Sequence, residues 1–285
     1  MIMDANLVIT AELEGMRRLA RLDRPRIHVL QEDIPGASCI WNLDKHEGGH
    51  RDLVRLRPGS GVRLLEILES IRASKQRQAG GHLEIRGSAA DLDGEAGFLT
   101  ALGGREIRTL PRALMAKRVG AAASEEGSLE PGLTVSVADT PESLAELRVV
   151  VAQSFADRSE EDTSQPDVEA DFFHAPGVMT YLAVRDRNGG VISTGSILVV
   201  DGVANVWSVA TAPSARGRGA ASAIMRAVCI EAPKRGAMFA ALRTTDELAR
   251  PGGLYAAVGF EFLGHERVWE LDNIDDVGLQ RGTGQ

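Results

Sequence analysis

The segment VATAPSARGRGAAS, Val209 to Ser222, is the feature that most constrains what this chain can fold into. A short apolar run stops at Pro213, two arginines and two glycines follow, and small residues then continue at helical spacing. A strand, a tight loop and a helix in this order bring backbone N–H groups and the positive end of a helix dipole to one point. Glycines let a phosphate approach those amides, and Arg216 and Arg218 can add charge-assisted hydrogen bonds. The segment therefore predicts a phosphate-binding loop.

The residues before this loop predict antiparallel strands. Apolar and polar residues alternate from Tyr181 to Thr211, with turn signals at Asn188-Gly189-Gly190 and Asp201-Gly202. The Gly-rich loop alone also resembles a dinucleotide fingerprint, which would make the chain a nucleotide-dependent oxidoreductase. That fingerprint belongs to parallel βα repeats with an acid about 20 residues further on. The antiparallel strands disfavour this alternative.

Helix signals lie on both sides of the loop. Thr140 is placed as an N-cap, with Pro141 at the first helical position. Small and apolar residues predict one helix over Ala220–Ala232, ending near Pro233, and a second over Asp246–Val258, with Gly259 as its stop. The run AMFAALRTT between them predicts a strand.

Length and composition predict two globular domains in a cytoplasmic protein. The chain has 285 residues, and the small and acidic stretch GAAASEEGSLEPG contributes little core, so the predicted domains are residues 1–122 and 132–285. The net charge of −8 is mixed along the chain, which disfavours nucleic acid as a partner. No apolar run is long enough for a membrane span. Cys39 and Cys229 fit neither a disulfide framework nor zinc spacing, so they suit a reducing compartment, and no metal is expected.

The chain from about residue 132 to 271 resembles the GCN5-related N-acetyltransferase (GNAT) family. Arg216 to Ala221 matches the family's phosphate-loop pattern Arg/Gln-x-x-Gly-x-Gly/Ala, with Ala in the last position. The run LYAAVGF, Leu254 to Phe260, matches a second signature, Leu-Tyr-x-x-x-Gly-Phe. The resemblance implies a mixed α/β fold, with a largely antiparallel central sheet flanked by helices.

The resemblance also implies a reaction and its residues. The chain would transfer an acyl group, expected to be acetyl from acetyl-CoA, to the primary amine of a small molecule by direct attack, as a monomer or homodimer. Tyr255 matches the proton donor to the leaving thiolate. The acetyl-CoA-binding positions would be Val209, Ala210, Thr211, Arg216, Gly217, Arg218, Gly219, Ala220, Ala221 and Ser222. The alternative is a CoA-binding sensor or scaffold without acyl transfer.

The general base and the acceptor stay open. Some family members carry a glutamate on the strand before the loop, and VANVWSVAT has no acid. The remaining candidates are Asp171, His174, Asp246, or a water held by Ser208 or Asn205. An acidic segment hints at a cationic amine, although the simpler interpretation is a solvated loop; its acids are Glu160, Glu161, Asp162, Glu169 and Asp171.

The first half of the chain resembles a degenerate copy of the second. FLTALGGREI, Phe98 to Ile107, runs in step with LYAAVGFEFL, so that Leu99 stands where Tyr255 does. The first half is therefore predicted to be a non-catalytic domain in a tandem of two GNAT-like domains. It would support the fold or form a wall of the acceptor pocket.

The string His46 to His50 spells H-E-x-x-H, but its two glycines oppose the helix that such a zinc motif needs, and we interpret it as a turn.

Overall fold

The computed structural model describes residues 3–22, 29–42, 51–75, 82–108, 112–120, 131–155, 175–272 and 274. The H-E-x-x-H string, the acidic segment 160–171 and the candidate base His174 lie outside these residues.

The described residues contain eight α-helices and twelve strands. The helices are α1 Ala5–Ala20, α2 Leu64–Ala73, α3 Ala89–Leu92, α4 Ala96–Ala101, α5 Pro141–Phe155, α6 Ala220–Lys234, α7 Asp246–Ala249 and α8 Leu254–Ala257. The strands are β1 Val29–Ile34, β2 Ala37–Asn42, β3 Arg51–Leu56, β4 His82–Ser88, β5 Arg105–Glu106, β6 Ala113–Arg118, β7 Thr134–Ala138, β8 Thr180–Arg185, β9 Val191–Val200, β10 Val203–Thr211, β11 Phe239–Thr244 and β12 Glu261–Asp272. None of the helices in the described ranges combines the length and the apolar character that a membrane crossing requires.

The chain divides into two compact units, and each takes a segment from the other half of the sequence. Unit 1 comprises residues 1–19 and 113–264, and unit 2 comprises residues 20–112 and 265–285. Helix α1 and strand β6 precede the predicted linker and nevertheless belong to unit 1, whereas the C-terminal part of β12 belongs to unit 2. The units therefore differ from the predicted domains 1–122 and 132–285, because strand pairing has exchanged segments between the halves.

Unit 1 is built on a mostly antiparallel sheet. Its strands lie in the order β6-β11-β10-β9-β8-β7, and only β10 and β11 run parallel. Helices α5 and α6 pack against β9 and β10. Helix α1 packs through Val8, Ile9 and Ala11 against a cluster that includes Val203 and Ala241. This sheet carries the predicted site.

Unit 2 repeats the same strand pattern on a smaller scale. Strands β1, β2 and β3 are antiparallel neighbours, β3 pairs parallel with β4, and residues 266–272 of β12 pair antiparallel with β4. Helix α2 connects the parallel pair, as α6 does in unit 1. The repeated order supports a common plan for the two units.

Local sequence signals account for several of these elements. The amide of Ser143 donates to Thr140 Oγ1 at 3.2 Å, and the amide of Thr140 donates to Ser143 Oγ at 3.1 Å, which satisfies the start of α5. Asp201 and Gly202 both have positive φ, 49° and 79°, as a tight turn between β9 and β10 requires. The N-cap, the turn and the three-stranded meander β8-β9-β10 are confirmed.

The predicted single helix over Asp246–Val258 is wrong. Two short helices, α7 and α8, replace it, with Arg250 to Gly253 between them. Pro251 cannot donate a helical hydrogen bond, and Gly252 has φ 77°. A Cβ at Gly253 would lie 2.5 Å from the carbonyl oxygen of Leu248, so the chain folds back tightly at this glycine.

A buried ion pair fastens α1 to unit 1. Both nitrogens of the Arg243 guanidinium fork donate to the two carboxylate oxygens of Glu12, and the side chains are only 11% and 9% exposed. Gly15, one turn further along α1, lies over Trp207, because a Cβ there would be 3.3 Å from the indole. Removing one partner of such a pair leaves the other charge buried.

We expect Glu12→Ala to lower the free energy of unfolding by about 3 to 5 kcal/mol, because Arg243 keeps its buried charge without this carboxylate. Urea denaturation measures the change. Arg63→Ala is the control, since Arg63 and Glu66 form a pair that is 73% and 48% exposed, and its loss should cost less than about 1 kcal/mol. Equal small effects would contradict the assignment of Glu12 as an anchor of α1.

Candidate functional site

Strands β10 and β11 pair only over their first residues and then diverge. Their parallel register runs from Val203 and Phe239 to Val206 and Leu242, although β10 continues to Thr211 and β11 to Thr244. Strand β11 stays paired with β6 along its whole length. The divergence opens a gap between two strands that are each held on the other side.

A β-bulge on β10 lies at the start of the gap. Trp207 pairs with Ser196 and Ala210 with Thr194, so Ser208 and Val209 stand opposite Gly195 alone. Ser208 has φ 52°, which is rare for a residue with a side chain. A Cβ at Gly195 would lie 2.7 Å from the Ile224 side chain, so this glycine lets α6 approach the bulge.

The backbone beyond the bulge presents polar groups to the gap. Towards β9, the amide of Ala212 donates to the carbonyl of Ile192 at 2.9 Å, and Ser193 Oγ donates to the carbonyl of Ala210 at 2.7 Å. Alternate residues of a strand direct their N–H and C=O groups to opposite edges. The peptide groups of Val209 and Thr211 therefore point to the edge from which β11 has departed.

The Gly/Arg loop connects β10 to α6 and has the backbone of an anion-binding loop. Gly217 and Gly219 have φ 74° and 72°, and Gly219 is the N-cap of the 15-residue helix α6. The first helical bond runs from the amide of Ala223 to the carbonyl of Gly219. The amides of Ala220, Ala221 and Ser222 consequently have no acceptor within the helix.

The two arginines of the loop differ in their contacts. Arg216 donates from Nη2 to the carbonyl of Ser154, at the end of α5, over 3.1 Å. Both Arg216 and Arg218 are exposed. Arg216 directly precedes Gly217, and Arg218 lies between Gly217 and Gly219, so the loop combines backbone amides with positive charge.

Tyr255 is buried on the short helix α8, beside the open end of β11. Its side chain is 6% exposed and meets Phe260 edge to face, with ring centroids 6.3 Å apart. Burial raises the pKa of the Tyr255 phenol above its ordinary value, and a hydrogen bond with the Thr244 side chain lowers it by less. Thr244 is the last residue of β11, beyond the part paired with β10. The hydroxyl is thus held in its protonated form at the gap. Sequence reasoning missed Thr244, for which the polar end of AMFAALRTT was the available signal.

The candidate bases separate into different environments. Ser208 lines a cavity of about 30 Å³ together with Thr194, Ser196 and Tyr181, beneath α5. Leu144, Leu147 and Val151 of α5 also line this cavity, which has room for about one water molecule, and its hydroxyl groups can supply hydrogen-bond partners for that water. Asn205 is 3% exposed, and no acceptor among the described residues reaches its Nδ2. Asp246 is exposed at the start of α7. Of these groups, Ser208 lies in the bulge and also borders a cavity with room for a water molecule.

Unit 2 keeps part of this arrangement and lacks the rest. Gly59 and Gly61 before α2 have φ 65° and 68°, matching the backbone of the Gly217 loop. Strands β3 and β4, however, stay paired up to Arg55, one residue before β3 ends, so no gap forms. Leu99, fully buried, takes the place of Tyr255. The amides of Leu102 and Gly104 donate to the Leu99 carbonyl. The amides of Val258 and Phe260 donate to the Tyr255 carbonyl in the same pattern.

Part of the chain matches a known family. Residues 145–260 match the sequence model of the acetyltransferase (GNAT) family. Residues 145–260 form a GNAT acetyltransferase domain. No curated protein sequence matches the chain at a significant level.

Solved GNAT structures share the fold over nearly the whole chain. A GCN5-related N-acetyltransferase from Kribbella flavida has a TM-score of 0.63 at 18% identity, covering 96% of this chain and 98% of that one. One from Sphaerobacter thermophilus has a TM-score of 0.55 at 17% identity, covering 90% and 84%. A tandem GNAT protein from the clavulanic acid biosynthesis pathway has a TM-score of 0.54 at 14% identity, covering 94% and 95%. The predicted mixed α/β class, with a largely antiparallel central sheet flanked by helices, is confirmed.

The described residues hold no group of three or more His, Cys, Asp and Glu side chains that could bind a metal ion.

We expect Tyr255 to lose its proton only above pH 10.0, the ordinary value, because burial disfavours the phenolate. NMR titration of ¹³Cζ-labelled tyrosine measures this directly, since the chain has two tyrosines and Tyr255→Phe identifies the signal. Thr244→Val should raise the pKa further. The folded chain binds the Tyr255 proton more tightly than the unfolded chain does. The protonated phenol therefore stabilises the fold fully at pH values below the unfolded-state pKa, and this stabilisation is lost as pH rises through the folded-state pKa. Titration of Tyr255 at or below pH 10 would contradict the described burial.

Proposed function

We propose that this chain transfers an acetyl group from acetyl-CoA to the primary amine of a small molecule. The observation that carries the proposal is the gap between β10 and β11. Strand β10 leads into the Gly217–Gly219 loop, and Thr244 at the end of β11 bonds the Tyr255 hydroxyl. Membership of residues 145–260 in the GNAT family supports acyl-CoA as the donor.

The residues present fit acetyl-CoA in two places. The amides of Gly217 to Ser222 and the cations Arg216 and Arg218 suit a pyrophosphate, because they offer several donors and positive charge at one helix N-terminus. The outward peptide groups of Val209 and Thr211 can pair with the amides of a pantetheine arm, since a strand edge takes an extended polar chain as it takes another strand. Glycine at 217 leaves the loop free of a side chain that would hold the phosphate away.

The chemistry asked of the protein is modest. The thioester is already activated, so the protein has to orient it and the amine, stabilise the developing oxyanion and protonate the leaving thiolate. Tyr255 supplies that proton, because its phenol is neutral at physiological pH and its hydroxyl is fixed by Thr244.

The incoming amine must be neutral to attack, and we propose that it loses its proton to water held at Ser208. The cavity beside Ser208 adjoins the bulge, and Thr194 and Ser196 offer hydroxyls to the same water. Water takes the place of an acidic side chain as the base, because the sequence of strand β10, VANVWSVAT, contains no Asp or Glu.

The acceptor and setting of the reaction follow from weaker signals. We propose a small amine as the acceptor, handled by a monomer or homodimer without nucleic acid or membrane partners. Cys39 and Cys229 are both free and buried thiols, which suits the reducing cytoplasm.

Release of free thiol from acetyl-CoA in the presence of a panel of small amines tests the proposed function. Amine-dependent thiol release, with a matching acetylated product by mass spectrometry, is the expected result. Saturable acetyl-CoA binding without thiol release for any amine would instead indicate the CoA-binding sensor or scaffold. Binding of NAD in place of CoA would indicate an oxidoreductase.

We expect Gly217→Val to weaken acetyl-CoA binding at least about tenfold, as measured by titration calorimetry, because the side chain blocks the amides and opposes the left-handed backbone. Gly189→Val is the matched control. Gly189 has φ 82° and, like Gly217, open space around its Cβ position, but it lies in the turn between β8 and β9. Equal affinity of both variants for acetyl-CoA would remove the loop from the binding site.

We expect Tyr255→Phe to lower kcat by about 10² while the affinity for acetyl-CoA changes little, because the phenylalanine keeps the packing and loses the proton. Steady-state thiol release and calorimetry on the same preparation separate the two effects. Turnover equal to that of the unsubstituted protein would exclude Tyr255 as the acid.

A further inference from the structure

We infer that Lys117, on strand β6, is a positioning residue that holds the Tyr255 turn in its working place. The inference rests on the proposed function, because it assigns a role to Lys117 through Tyr255. Strand β6 precedes the linker in sequence and belongs to unit 1 in the structure. A segment from the first half of the chain would thus complete the site of the second.

The helix that carries Tyr255 cannot hold its own position. It has only four residues, Leu254–Ala257, and its N-cap Gly253 offers no side-chain hydrogen bond. Gly252, directly before the N-cap, has φ 77°. Isolated helices of this length are unstable in water because nucleation is costly. The place of Tyr255 therefore depends on contacts from outside the helix.

Lys117 makes such a contact at the C-terminal end of the turn. Its Nζ donates to the carbonyl of Val258 at 2.8 Å, across 141 residues of sequence. A cation at this end satisfies a carbonyl that has no helical partner and complements the helix dipole. A Cβ on Gly259 would lie 3.3 Å from Lys117 Nζ, so the ammonium lies directly against the turn.

Lys117 also lies close to Cys229, which belongs to the same hydrophobic core as Tyr255. Lys117 is partly buried, and burial raises the pKa of Cys229 on α6 while the charge of Lys117 lowers it. The ammonium thus acts electrostatically on α6 while it contacts the turn after α8. An ammonium in such a place keeps its hydrogen bond, because losing it would leave charge and carbonyl without partners.

The Val258 carbonyl and the Tyr255 backbone belong to one hydrogen-bonded unit. The amides of Val258 and Phe260 donate to the carbonyl of Tyr255 at 3.2 and 3.0 Å. The hydrogen bond from Lys117 to Val258 therefore holds this turn in place. The turn in turn positions the Tyr255 phenol for its hydrogen bond with Thr244. Displacement of a reacting group by about 1 Å can cost about 10² in rate.

The test compares Lys117→Met, which keeps the aliphatic side chain and removes the donor, with Lys117→Arg, which restores a cationic donor. Lys234→Met is the control, because Lys234 is exposed and bonds Glu231 on α6. We expect Lys117→Met to lower kcat about tenfold at unchanged KM for acetyl-CoA, with Lys117→Arg recovering most of it. If Lys117→Met does not fold, Lys117→Gln, which keeps a polar end, takes its place.

Hydrogen exchange of the peptide covering residues 254–262 gives a readout independent of activity. We expect faster exchange in Lys117→Met than in the unsubstituted protein or Lys234→Met, with exchange of β9 unchanged. If the unsubstituted protein releases no thiol, the proposed function fails while the exchange still reports on Lys117. Unchanged exchange in this peptide would overturn the inference.

A double-substitution cycle checks that Lys117 acts through the phenol. In a Tyr255→Phe background, Lys117→Met should lower kcat by less than about twofold further, because the group being positioned is already gone. The same loss in both backgrounds would overturn the inference.

Discussion

The divergence of β10 from β11 after Val206 and Leu242 is the constraint on which the rest of the site depends. Two neighbouring strands of a sheet can part only if each keeps another partner, and β9 holds β10 while β6 holds β11. The bulge at Ser208 and Val209 turns β10 away, and Gly195 leaves room for α6 beside it. The peptide groups left facing the gap need hydrogen-bond partners, which makes the gap a place for an extended polar ligand.

The two units show which part of the shared plan makes a site. Both have a parallel strand pair connected by a helix, left-handed glycines before that helix, and the same hydrogen-bonded turn around Leu99 or Tyr255. Unit 2 keeps its parallel strands paired to within one residue of the end of β3 and carries an apolar side chain in place of the phenol. Glycine geometry alone therefore does not make the proposed acyl-CoA site; the gap and the hydroxyl distinguish unit 1.

The sequence predicted the local features well because each has a local cause. Thr140 and the Asp201-Gly202 turn act on their own backbone, and the spacing of the Gly/Arg loop and Tyr255 is carried by two short motifs. The exchange of α1, β6 and the end of β12 could not be predicted, because alternation shows which face of a strand is buried and not which strand it pairs with. The break between α7 and α8 was missed because helical spacing was given more weight than Pro251, Gly252 and Gly253.

A crystal structure of the protein with acetyl-CoA tests the central claim most directly. The account predicts one molecule per chain, with its pyrophosphate on the amides of Gly217 to Ala221 and its extended arm between β10 and β11, ending near Tyr255. Acetyl-CoA bound away from this gap, with β10 and β11 empty between them, would contradict it.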